Sequence, residues 1–211
     1  MSMPKILTEI AEALRNHKVE ISEKVEGEGR GGSLKDEGTI KKYLQSVFGE
    51  DVVMNVPARG AGDILVKDGD TIYPLIIKTT FGSTDNATSK IGFLYALTDI
   101  DYYELPKSIG WKKFNELLKE RKAEIEGRDY YYLCVDKNDS SSVLIRGAKQ
   151  INCYCLNANP SNMLQIDWKK EKQMPPKNRT YDEAYDTLVG GIKKCIAKFL
   201  NNLPEDWLKE L

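Results

Sequence analysis

The stretch "GDILVKDGDTIYPLIIKTT", residues 62–80, sets branched apolar residues on either side of a D-G/G-D turn and predicts two short strands joined as a hairpin. Alternate residues of a strand share a face, so Ile72, Pro74, Ile76 and Lys78 point one way and Tyr73, Leu75 and Ile77 the other. On the preceding strand Asp63, Leu65 and Lys67 share a face. With residues 68–71 as the turn, Lys67 pairs with Ile72 and Asp63 lies opposite Ile76. Asp63 and Lys78 then stand near each other at the open end of the hairpin.

Upstream, Ile6, Ile10, Ala13 and Leu14 give the segment "MSMPKILTEIAEALRNH" one apolar stripe, as an amphipathic helix requires. The glycine-rich "EGEGRGGS" follows no convincing strand and reads as a flexible loop, not a phosphate cradle. Ser33 is placed to cap a second helix over residues 34–48, with Ile40, Leu44, Val47 and Phe48 as its stripe. Glu37 stands one turn before Ile40 and so faces the body of the protein. Downstream of the hairpin come a polar loop, "FGSTDNATSK", and an amphipathic helix over residues 107–125. Strands "DYYYLCVD", "SVLIRG", "INCYCL" and "LQIDW" follow, and Thr180 caps a last helix. This order predicts an α/β or α+β chain, 1–211, in one domain, with 1–32 as an N-terminal helix and flexible loop and with a mixed sheet flanked by helices.

Composition narrows the function. No apolar run approaches the roughly 18 residues that span a bilayer, and the first helix lacks a signal-peptide core, so a cytoplasmic protein without a membrane partner is expected. The single histidine, His17, argues against Ser-His-Asp and Cys-His hydrolases, H-E-x-x-H proteases and His-Asn-His nucleases. At the end of the first helix His17 suits the helix dipole instead. Cys134, Cys153, Cys155 and Cys195 form no C-x-x-C pair and read as buried thiols rather than zinc ligands. A net charge of −1 announces no nucleic-acid binder, although Lys169, Lys170, Lys172, Lys177 and Arg179 cluster, as do Lys35, Lys41 and Lys42.

The hairpin carries the most specific chemistry. Two carboxylates and a lysine converging at a strand end suit metal-assisted phosphodiester hydrolysis. The carboxylate oxygens hold magnesium, and the ammonium steadies the charge that develops on the phosphate. The same spacing fits an ordinary hairpin whose Asp63 begins one strand and whose Lys78 ends the other.

The sequence resembles the PD-(D/E)xK nucleases, and among them the type II restriction endonucleases of the group that holds EcoRV, HincII and SwaI. The likeness is carried by Pro74, Lys78, Thr79, Thr80 and Phe81 in "YPLIIKTTF", by "GDILVKDG", by the acidic helix "SLKDEGTIKKYL", and by "NANPSNMLQIDW" ahead of the final helix. These pieces run in matching order from residue 33 to about residue 200. The resemblance implies that Asp63 is a Mg2+ ligand, that Lys78 is the catalytic lysine and that the Ile77 carbonyl is a further metal contact. Glu37 is implied as an accessory carboxylate at the metal. Along double-stranded DNA it implies Thr79, Thr80, Ser83, Thr84, Asn86 and Lys90 from one loop and Asn157, Asn159, Ser161 and Asn162 from another. It also implies a homodimer that reads a short palindrome.

One position departs from the pattern. Where the family carries its second acid, two residues before the lysine, this chain has Ile76. An isoleucine offers no ligand to magnesium. Three accounts stay open: a substitution that traps an inactive enzyme on DNA, a degenerate copy, or an acid supplied from elsewhere, with Glu37 the first candidate.

Overall fold

The computed structural model describes residues 3–22, 30–81, 84–87, 90–156 and 164–202, with side chains in the second helix described from Leu34 onward. The chain is α+β: a mixed five-stranded sheet lies between helices, and a small three-stranded sheet stands beside it. Among the described residues no helix is long and apolar enough to cross a membrane.

Helix α1 (Lys5–His17) buries Leu7, Ile10, Ala11 and Leu14, a stripe turned slightly from the expected one, which placed Ile6 and Ala13 inward. His17 closes α1, where its ring stacks on Tyr43 with centroids 3.9 Å apart. Helix α2 (Arg30–Phe48) begins ahead of Ser33, so Ser33 lies inside the helix instead of capping it, and part of the glycine-rich segment is helical. Ile40 and Leu44 are buried as expected, whereas Val47 is 50% exposed. The inner face continues in the other direction, one turn before Ile40, through Asp36, which is buried. A stripe drawn from apolar residues alone cannot anticipate a buried carboxylate.

The main sheet has the order β1 (Val53–Asn55), β2 (Ile64–Asp68), β3 (Thr71–Thr80), then β5 and β6, which follow later in the chain. The β2–β3 hairpin has the predicted register, with Lys67 opposite Ile72 and Asp68 opposite Thr71. Gly69 accepts the positive φ of 58° that so tight a turn demands. Strand β4 (Thr84–Asn86) lies inside the segment 81–90, for which the sequence predicts only a polar loop. Thr79 and Thr80 likewise belong to the end of β3, and both are buried.

Helix α3 (Lys90–Leu97) has no counterpart in the sequence reading. It is apolar around its whole circumference and buries every residue from Gly92 to Leu97, so it shows no stripe. Helix α4 (Trp111–Glu120) is shorter than the expected 107–125 and ends at Arg121. Strand β5 (Tyr131–Asp136) pairs parallel with β3, and β6 (Val143–Gly147) returns antiparallel along β5. The strands β7 (Tyr154–Leu156) and β8 (Leu164–Asp167) form the second sheet with β4, in the order β4-β8-β7. A single turn, α5 (Trp168–Glu171), leads on to α6 (Tyr181–Asn201). Thr180 caps α6 as expected, accepting from the Glu183 amide while the Glu183 side chain answers with the reciprocal bond.

The two faces of the main sheet are covered by two separate cores. On one side Ile64, Val66, Tyr73, Leu75 and Ile77 pack with α1 and α2 through Leu7, Ile10, Ile40 and Leu44. On the other, Leu65, Tyr132 and Cys134 pack with α3, α4 and α6 through Phe93, Leu94, Phe114, Leu118, Leu188 and Ile192. The period-two alternation read from residues 62–80 is what sorts these side chains between the faces.

Candidate functional site

The site lies where β3 ends, at the edge shared by both cores. Gly62 turns the chain into β2 with a φ of 97°, a conformation that favours glycine, and the next residue is Asp63. The Asp63 amide donates to the Leu75 carbonyl (2.9 Å), the residue that already pairs with Ile64, so the regular ladder ends at Ile64–Leu75 and Asp63 turns back onto Leu75, in place of the predicted position opposite Ile76. In return the Ile77 amide donates to Asp63 Oδ2 at 2.7 Å, so one carboxylate oxygen is already engaged by the neighbouring strand. Burial pushes the Asp63 carboxyl up, an effect that the Ile77 amide and the Lys78 and Lys41 charges only partly offset.

Lys78 follows on the same strand. Its ammonium stands 3.8 Å from a carboxylate oxygen of Asp85, with the lysine side chain 18% exposed. Asp85 sits in the middle of β4, opposite Ile166 of β8, so the second sheet delivers this acid to the lysine. No local pattern marks it in the sequence. Asp85 falls in the polar loop expected along DNA, and the pairing that fixes it joins segments about eighty residues apart.

Glu37 enters from the opposite side of the sheet, from the first half of α2. Its carboxyl is pushed up to about 7, first by burial and then by the charge of Asp63, with Asp85 and Asp36 adding to the rise and Lys78 opposing it. Glu37, Asp63, Lys78 and Asp85 therefore share one electrostatic neighbourhood. Ile76 is half-buried and packs against the core on the α3 side, so the position that would need a carboxylate holds a core contact.

Other residues singled out from the sequence are dispersed. Thr84 is exposed, Asn86 is half-buried and accepts from the Gln165 side-chain amide at 3.2 Å, and Lys90 opens α3 with its ammonium 4.7 Å from the Trp111 ring centroid. Ser83, Asn157, Asn159, Ser161 and Asn162 lie outside the described residues. Three side chains of the basic cluster near residue 170 have partners within the protein. Lys170 pairs with Asp167 (3.1 Å) and Lys172 with Asp136 (2.6 Å), while Arg179 donates to the Lys149 and Ile151 carbonyls. The Lys149 ammonium turns inward to the Arg128 carbonyl at 2.7 Å. Of the cysteines, Cys134 and Cys195 are buried, and Cys153 and Cys155 are half-buried.

As a metal centre the arrangement is incomplete. Its donors are all oxygens, the type that suits a hard divalent cation. Among the described residues, however, no three His, Cys, Asp or Glu side chains gather closely enough to hold a metal ion.

In class the molecule is an α+β protein with a mixed five-stranded sheet flanked by helices and a charged cluster at the end of its third strand. No protein-family model matches the chain, and a search of curated proteins finds no match.

Proposed function

We propose that this chain is a homodimeric endonuclease of the PD-(D/E)xK kind that hydrolyses phosphodiester bonds in double-stranded DNA at a short palindrome, with cleavage weakened by Ile76. The observation that carries the reading is the meeting of charges at the end of the hairpin. Asp63 accepts from the Ile77 amide, next to Lys78, and Glu37 of α2 lies in the field of Asp63 and Lys78. Further support comes from the mixed sheet between helix layers, the architecture that the sequence resemblance implies.

In this reading Asp63 and Glu37 would hold Mg2+, which when bound supplies Lewis-acid polarisation of the scissile phosphate. Lys78 contributes a positive charge where the pentacoordinate phosphate gathers negative charge, and Asp85 fixes the direction of that ammonium. Burial raises both the Glu37 and the Asp63 carboxyls, and the Asp63, Asp85 and Asp36 charges raise Glu37 further, a cost that a bound cation would relieve. Ile76 removes one donor and so weakens metal retention. A second reading is favoured by that same residue: a DNA-binding dimer of the same fold that does not cut.

Incubation of the chain with plasmid DNA and Mg2+ or Mn2+, alongside Ile76→Asp, tests both readings. Discrete fragments from either chain support the nuclease. Retarded mobility of duplex DNA without cutting by either chain supports the silent binder. No binding to duplex DNA at low salt, with or without a divalent ion, removes both.

A further inference from the structure

Beside the candidate centre lies a second pair of charges that the proposed chemistry does not use. Asp36 Oδ2 and the Lys137 ammonium are 2.6 Å apart, with side chains 2% and 8% exposed. Burial pushes the Asp36 carboxyl up, yet the Lys137 ammonium and the Ser22 amide and hydroxyl outweigh it and hold the group below its ordinary range. Desolvating two charges costs about as much as their attraction returns, and apolar residues of similar volume serve stability equally well. A pair so deeply buried therefore calls for another role.

Its connections supply one. Asp36 precedes Glu37 on α2, and consecutive helical residues diverge by roughly 100°, so the two acids face different surroundings. Asp36 Oδ1 accepts from the Ser22 amide (2.8 Å) and hydroxyl (2.7 Å), which ties down the segment after α1. Asp36 Oδ2 also accepts from the Thr79 hydroxyl at 3.4 Å, one residue beyond Lys78. Lys137 directly follows β5, and its amide donates to the Thr80 carbonyl at 2.8 Å. A single carboxylate thus joins α2, the end of β3 and the exit of β5.

We propose that Asp36 and Lys137 are a positioning pair that holds the Glu37 turn of α2 over the ends of β3 and β5, and so sets where Glu37 stands relative to Asp63 and Lys78. The inference rests on the reading of that centre given above. Its test uses neither DNA nor metal, so it can fail while the nuclease reading survives, and the reverse.

Urea denaturation at pH 8 compares the parent chain, Glu37→Gln, the double variant Asp36→Asn/Lys137→Met, and the combination of all three changes. Removing both charges together leaves neither buried alone. A positioning role predicts that the shift in midpoint produced by Glu37→Gln shrinks by more than half in the double-variant background. It also predicts that the amide resonances of Ile77 and Lys78 move in the double variant. An undiminished shift together with unmoved Ile77 and Lys78 resonances overturns the proposal and leaves the pair a packing contact. Should Glu37→Gln give no shift in the parent chain, the amide resonances alone decide in the same sense. Should the double variant not fold, Asp36→Glu is read in its place, with the same two outcomes, since it keeps both charges and displaces the carboxylate by one methylene.

Discussion

Replacing Glu37 with glutamine is expected to stabilise the protein, the reverse of what removing a helix-surface carboxylate ordinarily does. The folded state raises this carboxyl from 4.5 to about 7, by burial and by the neighbouring Asp63 charge. Each tenfold gain in proton affinity corresponds to about 1.4 kcal/mol, which sets an upper bound of roughly 3 kcal/mol on the cost of ionising Glu37 in the native state. The group is partly open to solvent, and screening reduces this to about 1–2 kcal/mol. The folded chain holds the Glu37 proton more tightly than the unfolded one, so the wild type keeps its full stability below pH 4.5 and loses this contribution as pH rises to about 7. Glutamine carries no charge and takes no part in that loss. Urea denaturation should therefore show the variant more stable by about 1–2 kcal/mol at pH 8, with the difference falling to a few tenths near pH 4.5. A variant that is no more stable than the wild type at pH 8, or whose advantage does not change with pH, would refute the electrostatic account of this site.

Four further outcomes are expected. Ile76→Asp buries part of a carboxylate against apolar neighbours and should cost about 1–3 kcal/mol of stability without metal, which millimolar Mg2+ recovers in part; a melting temperature indifferent to Mg2+ counts against a metal ligand at this position. Asp85→Asn releases the Lys78 ammonium from its partner at 3.8 Å, and should lower cleavage by Ile76→Asp about tenfold or more while altering stability by less than about 1 kcal/mol, as kinetics and denaturation on the same samples would show. Gly62→Ala forces an alanine to a φ of 97° with its Cβ 3.0 Å from the Leu75 carbonyl oxygen, and should cost about 1–3 kcal/mol by thermal denaturation. Asp36→Asn alone leaves the Lys137 charge buried without its partner and should cost about 3–5 kcal/mol, more than the paired removal of both charges.

What could be read from the sequence was local. The hairpin register followed from period-two alternation and a turn of known length as far as the Ile64–Leu75 pair, whereas the turning back of Asp63 onto Leu75 lies beyond what alternation can foresee. Thr180 and Glu183 announced the start of α6 because a capping box is written within four residues. The missed features depend on distant parts of the chain. Asp85 became visible only once β4 paired with β8, and Asp36 only once β5 carried Lys137 alongside β3. Helix α3 escaped because an element buried on all sides has no amphipathic signature. In the basic cluster around residue 170, the partners of Lys172 and Arg179 were equally hidden, since Asp136 and the Lys149 and Ile151 carbonyls lie about thirty residues earlier in the chain.

The parallel pairing of β3 with β5 bears on the order in which the molecule assembles. The β2–β3 hairpin closes over a two-residue turn and can form within microseconds of the start of folding. Docking β5 requires a much longer loop, since Leu75 pairs with Tyr131, and contacts of that separation form late. Asp63 and Lys78 are thus brought together early, whereas Lys137 arrives with β5 and Asp85 is fixed only after β8 has been threaded beside β4. Pulse-labelling of amide protons during refolding should protect Val66 and Tyr73, which face each other across the hairpin, before Leu133 and Val135. A nascent chain would then hold the lysine and its first acid while lacking the rest of the constellation, and any activity of the centre would switch on only when the final strands have been added.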